Sequence, residues 1–185
     1  MKLPIPESYW VEENKFLAGE YPASYNPESA RKRIESFLEC GIRSFIDLTQ
    51  SHELVSYENL LKEQAKIYDL KVNYHRFAIR DHGIPSNETM KNILDMIDSE
   101  IQNGNPVYVH CWGGVGRTGI TAACYLIRHG LSHEQALQKV QTLFKTRPQN
   151  YYPTSPETSS QFEFVRNWRE IPHASHKSGQ KFCEG

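Results

Sequence analysis

The 185 residues include only four cysteines, Cys40, Cys111, Cys124 and Cys183, and no two of them are spaced as CxxC. That pattern supplies neither a disulfide framework nor a zinc site. His173-x-x-His176 brings no further ligands and reads as solvated tail, so no metal and no cofactor are expected. No run approaches the roughly 20 apolar residues of a membrane span, and Met1 to Glu7 contain no apolar signal core. The expected location is cytoplasmic. Charge of neither sign dominates: 21 Lys and Arg face 22 Asp and Glu, a formal net charge of −1. Nothing therefore points to nucleic acid or a membrane surface as partner. There is no internal repeat. The expectation is one domain over residues 1–170, a polar tail over 171–185, and a monomer.

What is present is an alternation of short strands and amphipathic helices. Tyr9-Trp10-Val11 and Phe16 to Gly19 read as two strands around a Glu12 to Lys15 turn. Asn26-Pro27-Glu28 starts a helix that Cys40-Gly41 ends. Strands follow at 42–48, 72–78 and 106–110, separated by helical patterns from His52 to Tyr68 and from Ser86 to Ile101. Later helices run from 120, from the Ser132-x-x-Gln135 capping box, and over about 157–168. Two successive β-α-β units place the three strands parallel in one sheet, so their following loops emerge on the same edge. An α/β fold with a mostly parallel sheet of about five strands flanked by helices is expected.

The loop after the third of these strands holds the reactive residues. His110-Cys111-Trp112-Gly113-Gly114-Val115-Gly116-Arg117-Thr118-Gly119 joins a buried strand to an apolar helix. Glycines at a helix N-terminus can turn backbone N–H groups inward and form a concave anion site. Arg117 adds a planar fork of donors matched to phosphate oxygens. These groups favour the thiolate of Cys111 over the thiol. Thr118 places a hydroxyl where it can donate to the sulfur, and the His110 ring can hold the Cys111 backbone. A nucleotide P-loop is the competing reading of Gly116-Arg117-Thr118. It fails because the required lysine is arginine and the first glycine is Cys111.

Cys111, five residues, then Arg117-Thr118-Gly119 resembles the signature loop of the cysteine-dependent protein tyrosine phosphatases. The Phe77-x-x-x-Asp81-x-Gly83-x-Pro85 loop about thirty residues earlier is similar to that of the compact dual-specificity branch, which includes the kinase-associated phosphatase. Phe16 to Glu20 and Thr158-x-x-Gln161-x-x-Phe164 resemble that branch's opening hairpin and late glutamine helix. The resemblance covers about residues 8–169. It implies a phosphomonoester hydrolase acting on phosphoprotein, on phosphotyrosine and also on phosphoserine or phosphothreonine if the pocket admits them. Cys111 is then the nucleophile that carries a phosphocysteine, and the backbone of Trp112, Gly113, Gly114, Val115 and Gly116, together with Arg117, binds the phosphoryl oxygens. Asp81 is the candidate general acid, its competing account being a turn aspartate bonded to its own backbone. Gln161 orients the hydrolytic water by resemblance, unless it is merely an exposed helix glutamine. The Trp-Pro-Asp of larger tyrosine phosphatases is missing. Two alternatives stay open: a phosphatase of a small metabolite or inositol phosphate, disfavoured by a loop without lysine, and a phospho-binding module without turnover.

Overall fold

A computed structural model describes residues 2–148 and 151–170. The expectations for the tail, including His173, His176 and Cys183, lie outside these residues. Among the described residues five strands form one sheet: β1 (Ser8–Glu12), β2 (Phe16–Gly19), β3 (Ser44–Asp47), β4 (Asn73–Arg76) and β5 (Val107–His110), in the spatial order β1-β2-β5-β3-β4. β1 pairs antiparallel with β2 as the expected hairpin, and all other pairs are parallel.

Among the described residues six helices cover the two faces: α1 (Pro27–Glu39), α2 (Glu58–Ile67), α3 (Asn87–Gln102), α4 (Gly116–Arg128), α5 (His133–Phe144) and α6 (Ser159–Asn167). The period-two alternation of the strands decides which helix goes where. Leu17, Phe45 and Tyr108 point to one face, where Ile34 and Phe37 of α1 and Leu61 of α2 bury them. Ala18, Ile46, Val107 and Val109 point to the other, against α3, α4 and α5. Cys124 is buried in that second layer, where loss of hydration raises its thiol pKa and keeps it protonated. Among the described residues no helix is long and apolar enough to cross a membrane.

The path through the sheet reverses at its centre. From β3 the chain passes through α2 on one face to β4, then returns through α3 on the other face to β5, which lies on the far side of β3. The loops leaving β3 and β5 therefore part to opposite faces. Their carboxyl ends leave a crevice, which is where open α/β sheets take ligands.

Two helices begin later than expected. The periodicity at Leu54, Tyr57 and Leu61 predicts a helix from His52, but α2 begins only at Glu58. Residues 51–54 turn instead, with the Glu53 carboxylate accepting the Gln50 backbone N–H at 2.7 Å. A helical path there would remove Glu53 from the partner described below. The last helix is also shorter than expected, starting at Ser159 behind a Thr158 cap.

Candidate active site

β5 ends at His110 and delivers Cys111 to the bottom of a cleft of about 240 Å³. Asp81, His82, Arg117, Glu157 and Gln161 line its sides. The loop from Cys111 to Gly116 is shaped by what its carbonyls bond. Trp112 O accepts the Tyr21 N–H at 2.8 Å, and Gly113 O and Gly114 O accept from Arg147 at 3.1 and 3.4 Å. Val115 O accepts the Ser155 hydroxyl at 2.8 Å. In a planar trans peptide the carbonyl of one residue and the N–H of the next point in opposite directions. Carbonyls anchored to the outside therefore turn the N–H groups of Gly113, Gly114, Val115 and Gly116 towards the concave side, the geometry of an anion nest.

Two positions in this loop require glycine. Gly114 has φ +68°, and a Cβ there would lie 2.3 Å from the Gly19 carbonyl carbon. A Cβ on Gly116 would sit 2.7 Å from the Gln161 amide. α4 starts at Gly116 with no side-chain cap, so the N-terminal donors and dipole of this helix remain directed at the cleft.

The sulfur of Cys111 accepts the Thr118 hydroxyl at 3.2 Å, the contact expected from the sequence. His110 holds the backbone as expected, its Nδ1 lying 2.9 Å from Cys111 O. Burial pushes the His110 pKa below 6.5, so the ring is neutral at pH 7. A bond to a carbonyl requires Nδ1 to carry the proton, which leaves Nε2 to accept the Tyr57 hydroxyl at 2.7 Å.

Arg117 is buried and its donors are almost fully assigned. Nη1 and Nη2 form a two-pronged pair with Glu53 at 2.8 and 2.9 Å, Nη1 also donates to Ile79 O at 3.0 Å, and Nη2 donates to Asp81 Oδ1 at 2.8 Å. The fork is thereby fixed in one orientation on the cleft wall. Asp81 is brought to the site, but in this state it rests on Arg117. The bond to its own backbone that would make it a plain turn aspartate is not among its contacts.

Gln161 is fully buried, which removes the exposed-glutamine reading. Its Oε1 accepts the backbone N–H groups of Glu157 and Thr158 at 3.0 and 3.2 Å, and its Nε2 donates to Gly83 O at 3.1 Å. One side chain thus caps α6 and ties the Asp81 loop to it. His82, at φ +56°, stands 3.5 Å from Asp81 and 3.4 Å from Glu157. Trp112 departs from the others: its side chain is 52% exposed, so only its backbone belongs to the cradle.

Sequence reasoning missed Glu53, Tyr57 and Arg147. Glu53 follows directly on the Thr49 to His52 loop of the sheet's carboxyl edge, and that placement was the available signal. Nothing local marks Arg147 for the site, because the loop carbonyls it holds lie more than thirty residues away.

The model for the family described as "Polymorphic toxin system, DSP-PTPase phosphatase" matches residues 22–131. Mouse protein tyrosine phosphatase domain-containing protein 1 is 32% identical over 127 residues, 65% of this chain and 17% of that protein. The chain thus spans about a sixth of that relative's length. Human cyclin-dependent kinase inhibitor 3 is 26% identical over 160 residues, 82% of this chain and 70% of that protein. The solved structure of Tk-PTP in its active form superposes with a TM-score of 0.68 at 23% identity, covering 87% of this chain and 95% of that one, and shares the fold. With the family model spanning both the Asp81 loop and the Cys111–Arg117 loop, this chain belongs to the DSP-PTPase family, the compact dual-specificity branch of the cysteine-dependent phosphatases.

Proposed function

We propose that the protein hydrolyses phosphomonoesters on protein through a phosphocysteine, and that residues 1–170 act as one phosphatase domain. The supporting observation is the Cys111 sulfur at the bottom of a nest whose carbonyls are all tied outward, with Arg117 fixed beside it. The thiolate attacks phosphorus, and the P–O bond to the substrate breaks. Asp81 gives its proton to the departing oxygen, which leaves as the free hydroxyl. The N–H groups of Gly113 to Gly116 and the Arg117 fork receive the equatorial oxygens as charge shifts onto them.

In the second step water attacks the phosphocysteine, its proton passes to Asp81, and the sulfur leaves as thiolate. The Thr118 hydroxyl, already on the sulfur, stabilises that departure. A primary amide carries two N–H groups, and Gln161 uses one on Gly83 O. The second is available to orient the water, from a residue that lines the cleft. His110 acts through the backbone as a positioning residue. A binding module would have no use for the thiol, hydroxyl and acid together, and a loop without lysine favours a single phosphate over a multiply phosphorylated inositol.

The test is Cys111→Ser. Hydrolysis of p-nitrophenyl phosphate and of a phosphotyrosyl peptide should fall by about 10⁴-fold or more, as for loss of other enzymic nucleophiles. Unchanged turnover overturns the mechanism, and retained aryl phosphatase activity without peptide turnover in the unaltered protein overturns the protein substrate.

A further inference from the structure

A second cleft, of about 270 Å³, opens beside the first and shares Trp112, Gly113 and Tyr152 with it. A ligand with its phosphoryl group over Cys111 can therefore continue across Trp112 into this space. Glu7, Glu20 and Arg147 line it together with Tyr151; Arg147 also holds the nest carbonyls, and the other three have no part in the steps above.

The charges here do not cancel pair by pair. Arg147 directs Nη1 at the Gly113 and Gly114 carbonyls, lies 5.0 Å over the Phe144 ring, and stands 3.9 Å from Glu20 Oε2. Glu20 Oε1 accepts from Arg33 at 2.9 Å. Both cations are thus directed at Glu20 and at the loop carbonyls. Glu7 differs: its Oε2 is buried, and no donor among the described residues reaches it. A carboxylate oxygen held from water without a donor is costly.

The backbone keeps Glu7 in place. Its carbonyl accepts the Glu20 N–H, and Gly114 packs on the Gly19 to Glu20 backbone, so Glu7 is held against the phosphate loop. Tyr151, 85% exposed, and Tyr152 line the space. A carboxylate at the wall of a cleft lined by aromatic side chains is the electrostatic complement of an ammonium or guanidinium group, which its charge and the rings both attract. An anionic or purely apolar group would leave Glu7 as it is.

We infer that this second cleft is a cation subsite, which receives a lysine or arginine side chain standing close to the phosphorylated residue of the substrate. The inference rests on the proposed phosphatase reading and adds a substrate preference to it.

Two matched probe sets test it on the full chain. In the first, phosphotyrosyl peptides carry arginine or its neutral isostere citrulline next to the phosphotyrosine. The arginine peptide should be favoured by about tenfold in kcat/KM, mostly through KM, the factor expected of one charge-assisted contact. Glu7→Gln should bring the ratio to about one and leave p-nitrophenyl phosphate turnover unchanged. Tyr151→Leu, a change at an exposed ring, should lower the ratio by about threefold and provides a second reading if Glu7→Gln fails to fold. In the second set, aryl phosphates bear aminoalkyl or alkyl chains of increasing length, and the ammonium series should show the same Glu7-dependent preference. A ratio near one in the unaltered protein, or one that survives Glu7→Gln, overturns the subsite. Loss of peptide turnover with a Glu7-dependent ammonium preference overturns the protein substrate alone and supports the subsite. If no ester is hydrolysed, the phosphatase reading falls, and calorimetric binding of the two aryl series to Cys111→Ser decides the subsite by the same ratio.

Discussion

The Cys111–Arg117 loop and the Arg80–Pro85 loop face each other across one cleft, and they are held in different ways. In the first, Cys111 is 3% and Arg117 2% exposed, and the carbonyls of residues 111–115 all have donors from neighbouring elements or, for Cys111, from the His110 ring. In the second, the Asp81 side chain is 47% exposed, and the ties are the Arg117 contact, the Gln161 bond to Gly83 O, the His82 approach to Glu157 at 3.4 Å and the local Arg80 to Gly83 turn. The nest for transferred charge is preorganised, as electrostatic stabilisation of a transition state requires. Asp81, the proposed proton donor, is on a segment whose contact with Arg117 a bound phosphate would compete for. Changes to the nest should therefore damage every substrate alike, and changes to the acid loop should act selectively.

Arg117→Lys gives the strongest test of the first half. It keeps the charge that balances buried Glu53 but removes the fork. We expect kcat/KM to fall by about 10³-fold for activated and unactivated esters equally, the upper range for loss of one preorganised donor set. A loss under tenfold would mean that charge alone suffices and the fixed fork is irrelevant. Asp81→Asn tests the second half. Phenyl phosphate, a poor leaving group, should lose about 10²-fold in kcat, while p-nitrophenyl phosphate changes little. Equal losses on the two esters would remove Asp81 as the acid and with it the division between the loops.

What could be read in the sequence follows the same line. Cys111, Arg117, Thr118 and His110 sit within nine residues, between a strand and a helix whose periodicities are plain, so their mutual placement was local information. Asp81 required one more step, the parallel order of β3, β4 and β5, which two β-α-β units supply. The contacts that stiffen the site come from a distance. Glu53 reaches Arg117 across 64 residues, and Arg147 reaches the loop carbonyls across more than thirty. Both lie in stretches whose local pattern says helix start or loop, and nothing there records the partner. The lateral order β2-β5-β3 was likewise not legible, because short strands of similar composition do not encode their neighbours. Gln161 entered only through the resemblance of Thr158-x-x-Gln161-x-x-Phe164, and a helix expected from about 157 hid both the capping box it completes and its bond to Gly83 O.

The smallest effect concerns what lies beneath the preorganised half. Asp47 closes β3 next to His110 and is 2% exposed. It accepts from the Thr49 N–H and hydroxyl at 2.8 and 2.7 Å, from the Tyr74 hydroxyl at 2.7 Å and from Arg76 at 2.9 Å. Burial alone would raise its pKa, but the charge of His110, once that ring is protonated in acid, and the hydrogen bonds from Thr49 and Tyr74 outweigh that and hold the carboxyl below its ordinary 3.8. A carboxyl depressed in the folded state contributes stability that is fully present above its unfolded value. That contribution is lost as pH falls through the lower folded value. Asp47→Asn should therefore destabilise the protein by about 2 kcal/mol at pH 7, the range for hydrogen bonds to a charged group. The difference from the unaltered protein should shrink steadily below about pH 4. Urea unfolding at a series of pH values measures it. Turnover at pH 7 should change less than in Asp81→Asn, because Asp47 bonds the strands under the nest and does not touch the cleft. A stability difference that stays constant down to pH 2 would show that the Asp47 charge contributes nothing to the rigidity of that half.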